Sequence, residues 1–101
     1  MNLFRLIFGE KVNLQELITN GATILDVRTK LEYQSGHIRK SINIPVDNLI
    51  NNIKKLDKNK PIITCCASGA RSASARRILK SNGFEQVYNG GAWYSLRKYI
   101  S

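Results

Sequence analysis

Short apolar blocks of strand character alternate along this chain with segments whose apolar residues recur at three- and four-residue steps. Asn13 followed by Glu16 reads as a helix start, Leu14, Leu17 and Ile18 form its apolar face, and Gly21 supplies the stop. Ile24-Leu25-Asp26-Val27 reads as a buried strand, Lys30 to Ser35 as a short helix ending at Gly36, and Ile42-Asn43-Ile44 as a second strand closed by Pro45. Val46, Leu49, Ile50, Ile53 and Leu56 share one face, which predicts a helix over 47–56, followed by a turn at 57–60. Pro61-Ile62-Ile63-Thr64-Cys65 has the β-branched content of a central parallel strand. The helical period returns over 72–82 with Ala75, Ile78 and Leu79 inward and Gly83 beyond its end. Val87-Tyr88 is the last predicted strand, and Trp93, Leu96 and Ile100 are in phase for a terminal helix. This alternation predicts an α/β fold.

The chain has 101 residues, enough for one core but not two. With 43% apolar and 23% charged residues it reads as an ordinary globular domain rather than a disordered tail or coiled coil. Repeats and linkers are absent, and the expected division is an apolar N-terminal segment at 1–12 leading into a domain at 13–101. Sixteen basic residues against seven acidic give a net charge of +9, of which +8 falls in residues 51–101. Such a bias points to an anionic partner. Nucleic acid is disfavoured, because no aromatic residues interleave with the cluster Lys54, Lys55, Lys58 and Lys60, which reads as a solvated face. No apolar stretch approaches the roughly 18 residues of a membrane span, so a cytoplasmic protein is expected. Cys65 and Cys66 are adjacent, which suits neither a disulfide framework nor a four-ligand zinc site, and reduced thiols without a metal or other cofactor are expected.

Chemistry concentrates in Cys66-Ala67-Ser68-Gly69-Ala70-Arg71, between the predicted central strand and the helix near Ser72. Ligands of open α/β sheets bind beyond the carboxyl ends of strands, and a helix start offers unpaired N–H groups and a positive dipole end to an anion. Small residues at 67–70 let the backbone curl around one centre, and Arg71 adds a forked cation. The same features lower the pKa of a thiol at the loop's start, because they stabilise the thiolate. Cys66 is therefore the candidate nucleophile rather than an inert buried cysteine.

The stretch Cys66-Ala67-Ser68-Gly69-Ala70-Arg71-Ser72 resembles the C-x-S-G-x-R-S active loop of rhodanese-like sulfurtransferases. Ile24-Leu25-Asp26-Val27-Arg28-Thr29, Glu32-Tyr33, Gly36-His37-Ile38 and Ile42-Asn43-Ile44-Pro45 are similar to that family's upstream motifs. Gly83-Phe84, Val87-Tyr88 and Gly90-Gly91 with Trp93 are similar to its ending. The resemblance runs from about Asn13 to the C-terminus. It implies a mainly parallel, five-stranded sheet flanked by helices on both faces. It further implies that Cys66 takes a sulfane sulfur from a small anionic donor, thiosulfate or a persulfide, and passes it to cyanide or a thiol. Other proteins' persulfides and thiols are candidate donors and acceptors. Ala67, Ser68, Gly69, Ala70, Arg71 and Ser72 would bind the donor and then the persulfide.

Two departures open other readings. Cys65 and Arg71 form a second register, C-x5-R, as in cysteine phosphatases and arsenate reductases, with Cys65 as nucleophile. Ser68, Gly69 and Ser72 fit only the Cys66 register, and Cys65 then becomes a candidate to resolve the persulfide. Arg39-Lys40-Ser41 stands where the family commonly has Pro-Gly-Ala, adding positive charge to a surface turn open to a docking partner. A non-catalytic module binding a protein or nucleic acid through the basic half is a third reading. Asp26 and Arg28 are expected to hold loops by charge-assisted hydrogen bonds, His37 to make a structural hydrogen bond, and Trp93 to join the core or, with Tyr94, the rim.

Overall fold

In the computed structural model, which describes residues 12–100, every residue of the strand β3 (Ile62–Cys66) is buried. β3 is flanked by β1 (Thr23–Asp26) and β4 (Val87–Ala92), and the short strand β2 (Ile42–Asn43) lies beyond β1. The order is β2-β1-β3-β4 and every pairing is parallel. Among the described residues the sheet thus has four strands where five were expected. The hydrophobic pattern itself contains four strand-like blocks; the fifth strand was an implication of the resemblance alone. The apolar run Leu3 to Phe8 lies outside the described residues.

A strand turns successive side chains to opposite faces, so β3 divides its residues between two apolar layers. Ile62 and Cys66 join Leu25, Val27, Leu49, Ala75, Leu79 and Phe84 on one side. Ile63 and Cys65 join Ile24, Ile38 and Leu96 on the other, where Leu14, Leu17, Ile18, Trp93 and Ile100 pack against them. Helices α1 (Leu14–Thr19) and α2 (Lys30–Gln34) begin where side chains cap them. The Glu16 N–H donates to Asn13 Oδ1, and Thr29 and Glu32 form a reciprocal capping box. The long helix α3 (Ala70–Ser81) buries Ser72, Ala75 and Leu79. Among the described residues, no helix is long and apolar enough to cross a membrane.

The helix expected over 47–56 is instead a pair of tighter 3-10 segments, Val46–Asn48 and Ile50–Lys55. Asn52 explains the difference: its Nδ2 donates to the Asn48 carbonyl at 2.8 Å, the acceptor its own N–H would use in an α-helix, while that N–H bonds Leu49 O instead. The retightened chain leaves Ile50 exposed, although Leu49 and Leu56 are buried as their period predicts. The terminal segment Trp93–Tyr99 is likewise 3-10, and it does bury Leu96.

Asp26, the last residue of β1, and Arg28 just beyond it are both buried and face each other. Arg28 Nη2 lies 2.7 Å from Asp26 Oδ2 and Nε 2.9 Å from Oδ1, and the Arg28 N–H donates to Oδ1 at 3.0 Å. The guanidinium also donates to the carbonyls of Gly36 (2.7 Å) and Glu32 (3.3 Å) and stacks 4.5 Å from the Trp93 ring centre. The loop-holding role expected of both residues is what these contacts describe. Removing one partner of a buried pair strands the other charge, so Asp26→Ala should cost about 3–5 kcal/mol in urea unfolding. A loss below about 1 kcal/mol, the range of an exposed pair, would contradict this account.

Candidate active site

Cys66 is the last residue of β3, and only Ala67, Ser68 and Gly69 separate it from the first residue of α3. The turn is this short because Gly69 takes a left-handed conformation (φ 108°, ψ −13°) that a side chain would strain. That conformation turns the Gly69 N–H onto Cys66 Sγ at 3.0 Å, while the Gly69 carbonyl accepts the Ala73 N–H at 3.0 Å. The Ser72 N–H lies 3.4 Å from the same sulfur, and the thiol lies 3.5 Å from Ser72 Oγ. Thr64, two residues back on the same face, donates to the Ser72 carbonyl at 2.9 Å and pins the helix start to the strand.

These contacts set the electrostatics. Burial pushes the Cys66 thiol up, but the Ser72 hydroxyl and the N–H groups of Ser72, Gly69 and Ser68 more than offset it and bring the thiol down to about 7. Cys65, one residue earlier, points into the other layer and is pushed up to about 12, chiefly by burial and then by the Asp26 carboxylate. The alternation of β3 thus separates the two cysteines. The C-x5-R register with Cys65 as nucleophile is not assembled, and the resolving role considered for Cys65 has no geometric support.

The predicted site residues do not all behave alike. Ala67 and Ser68 are exposed on the turn, Ala70 is exposed at the start of α3, and Ser72 is fully buried. Arg71 is in the first turn of α3 rather than the loop, and it is not a lone cation. Its Nη1 and Nη2 donate to Glu32 Oε1 and Oε2 at 2.7 and 3.0 Å. This fork holds the Glu32 carboxyl down at about 2 and raises Arg71, to which the Cys66 thiolate adds. His37 donates from Nδ1 to the Tyr33 carbonyl at 2.7 Å and stacks on the Tyr33 ring, a structural contact as expected. Trp93 packs against the core layer and lies between Arg28 and Arg97, whereas Tyr94 is exposed.

Two residues escaped the sequence reading. Glu32 carried a signal, since Thr29-x-x-Glu32 is a capping box beside a motif arginine's helix. Asn89 carried none of its own. It enters because β4 bulges beside Cys66: Thr64 pairs with Asn89 but Cys66 pairs with Ala92. The bulge needs Gly90, where an added Cβ would meet Ile63 Cγ2 at 2.7 Å and Thr64 O at 2.9 Å, and Gly91, whose φ is 76°. It brings Asn89 Oδ1 within 2.6 Å of Ser72 Oγ.

A parallel α/β domain with a thiol at a strand end, facing the N–H groups of a helix start, defines a class of cysteine-centred anion sites. The chain belongs to the rhodanese-like domain family, whose profile matches residues 11–92. It is 34% identical over 82 residues to the thiosulfate sulfurtransferase GlpE of Pseudomonas savastanoi pv. phaseolicola, covering 81% of this chain and 77% of that one. It is 37% identical over 82 residues to the putative sulfur carrier protein YrkF of Bacillus subtilis, covering 81% of this chain but 42% of that protein. Among solved structures, a rhodanese-related protein from Thermoplasma volcanium superposes with a TM-score of 0.73 at 33% identity, covering 89% of this chain and 92% of that one.

The ion pair between Glu32 and Arg71 has a calculable pH signature. The folded carboxyl titrates near 2 and the free one near 4.5, so the pair's stabilisation is complete above the free value and disappears as pH falls through the folded one. Both side chains are about one third exposed, so screening limits the effect to about 1 kcal/mol at most. Glu32→Gln keeps a residue able to complete the capping box. Its deficit in urea unfolding should therefore stay level from neutral pH down to about 4.5 and then shrink as pH falls to about 2; a deficit that stays constant across that lower window would show that the charge is not the cause.

Proposed function

We propose that this chain is a rhodanese-type sulfurtransferase in which Cys66 carries the sulfur as a persulfide, with Ala67, Ser68, Gly69, Ala70, Arg71 and Ser72 forming the donor site. The observation that carries this reading is the lowered Cys66 thiol, with two backbone N–H groups on its sulfur. A thiol near 7 is about half thiolate at neutral pH without a general base, which agrees with the structural engagement of His37.

In the first step the Cys66 thiolate attacks the outer sulfur of thiosulfate. A Cys66 S–S bond forms, the donor's S–S bond breaks, and sulfite leaves with the bonding pair. In the second step cyanide or a thiolate attacks the outer persulfide sulfur, forming thiocyanate or a new persulfide and returning the Cys66 thiolate. Charge is conserved in each step, and no metal or redox cofactor takes part. The Gly69 and Ser72 N–H groups hold the thiolate and the bound sulfur, and the positive end of α3 favours the anionic forms. Cys66 is only 1% exposed, which favours a donor that presents a single terminal sulfur over one that must seat a tetrahedral group beside the thiol. The surplus of basic residues outside the site supplies attraction for an anionic donor or an acidic protein carrying a persulfide.

Thiosulfate treatment of the reduced protein, followed by peptide mass spectrometry, should add one sulfur atom at Cys66. Cys66→Ser should lose both the adduct and transfer to cyanide, and Cys65→Ser should keep both. The loading rate of the native chain should rise with pH through about 7 and level off. Retained transfer in Cys66→Ser would assign the chemistry elsewhere, and no adduct on a folded sample would favour a binding module.

A further inference from the structure

The Ser72 hydroxyl has one proton and three neighbours within reach: Asn89 Oδ1 at 2.6 Å, the Gly69 carbonyl at 3.1 Å and Cys66 Sγ at 3.5 Å. The Gly69 carbonyl already accepts from the Ala73 N–H at 3.0 Å and from Asn89 Nδ2 at 3.2 Å, so both its lone pairs are used. The orientation of the Asn89 amide is determined from its other side. The Gly91 N–H donates to Oδ1 at 2.9 Å, and Nδ2 faces the Gly69 carbonyl; a flipped amide would oppose like groups at both contacts. Oδ1 is therefore the acceptor turned to Ser72. While Cys66 is a thiol, the hydroxyl proton belongs to Asn89 and the thiol proton points at Ser72 Oγ.

We infer that Asn89 is a positioning residue for the nucleophile: it holds the Ser72 hydroxyl proton until Cys66 ionises, and so sets how readily the thiolate forms. When the thiol proton leaves to water, Ser72 Oγ loses the hydrogen it was accepting and its own hydroxyl rotates from Asn89 Oδ1 to the sulfur. No bond to hydrogen on Ser72 is broken, and Oδ1 keeps the Gly91 N–H. The thiolate gains the hydroxyl as a donor beside its backbone N–H groups only by taking it from Asn89. Once a sulfur has been added, the charge moves to the outer atom and the hydroxyl is free to return. The other titratable and charged groups acting on Cys66 are Arg71 of α3, its partner Glu32 of α2, and Cys65 of the same strand. β4 contributes the neutral amide of Asn89 at this contact.

This inference rests on Cys66 being the nucleophile, but its test reads the thiolate directly. The rate of Cys66 alkylation by iodoacetamide is followed against pH, with peptide fragmentation assigning the label. Asn89 is exposed, so Asn89→Ala removes the acceptor at the surface, and a thermal melt checks that the variant remains folded. The substitution should lower the midpoint by about half a pH unit, making alkylation about threefold faster on the acid side. In a Ser72→Ala background the same change should have no such effect. Asn89→Asp, which keeps an acceptor and strengthens it, should slow alkylation, and more so with Ser72 present than without. An unchanged or slower Asn89→Ala, or effects of equal size in both backgrounds, would overturn the inference. Because alkylation does not require sulfur transfer, neither result depends on whether a persulfide forms.

Discussion

The contact on which the active end of the sheet depends is the buried pair of Asp26 and Arg28. One arginine reaches the carboxylate that ends β1, the backbone of α2, the Gly36 carbonyl and the face of Trp93. It thereby fixes α2 relative to the sheet. Glu32 on α2 then grips Arg71, which belongs to the first turn of α3 over the candidate nucleophile. The chain of contacts runs from a fully desolvated charge pair to a partly solvated one. The inner pair is strong because neither partner has water to fall back on, and the outer pair is weak because both have.

The difference between the two adjacent thiols follows from geometry rather than from any difference in residue type. A one-residue step along β3 reverses the face, and with it the sign of the environment. Cys66 meets N–H groups, whereas Cys65 meets hydrocarbon and the carboxylate of Asp26. Each thiol is buried, so burial by itself predicts nothing about reactivity here. What decides is whether donors accompany it.

Much of this was legible in the order of residues. The four parallel strands, a helix expected over 72–82 and found at 70–81, the cysteine at the end of the central strand and the tethering roles of Asp26, Arg28 and His37 all follow from local pattern or from the family motifs. What was not legible depended on competition between groups. At 47–56 the apolar period is correct for an α-helix, but the Asn52 side chain takes a backbone acceptor, a contest that periodicity does not register. Arg71 has the residue type of an anion ligand, yet its nearest anion is Glu32, thirty-nine residues away in the chain. Asn89 is one exposed amide among many in the sequence, and only the bulge in β4 brings it to Ser72. The glycines behind that bulge were visible as a place of close approach; the partner they deliver was not.

The two edges of the sheet among the described residues have a consequence of another kind. β2 is two residues long, is closed one residue later by Pro45 with no N–H to offer, and has its Asn43 amide folded back onto the carbonyls of Asp26 and Arg28. At the opposite edge β4 is kinked by its bulge, and Arg76 occupies the Val87 carbonyl. Neither side offers the long, flat ladder that templates cross-chain pairing. The described edges thus give a second copy little backbone to pair with, and fibril-like self-association through them is discouraged by shape before the net charge of +9 is considered.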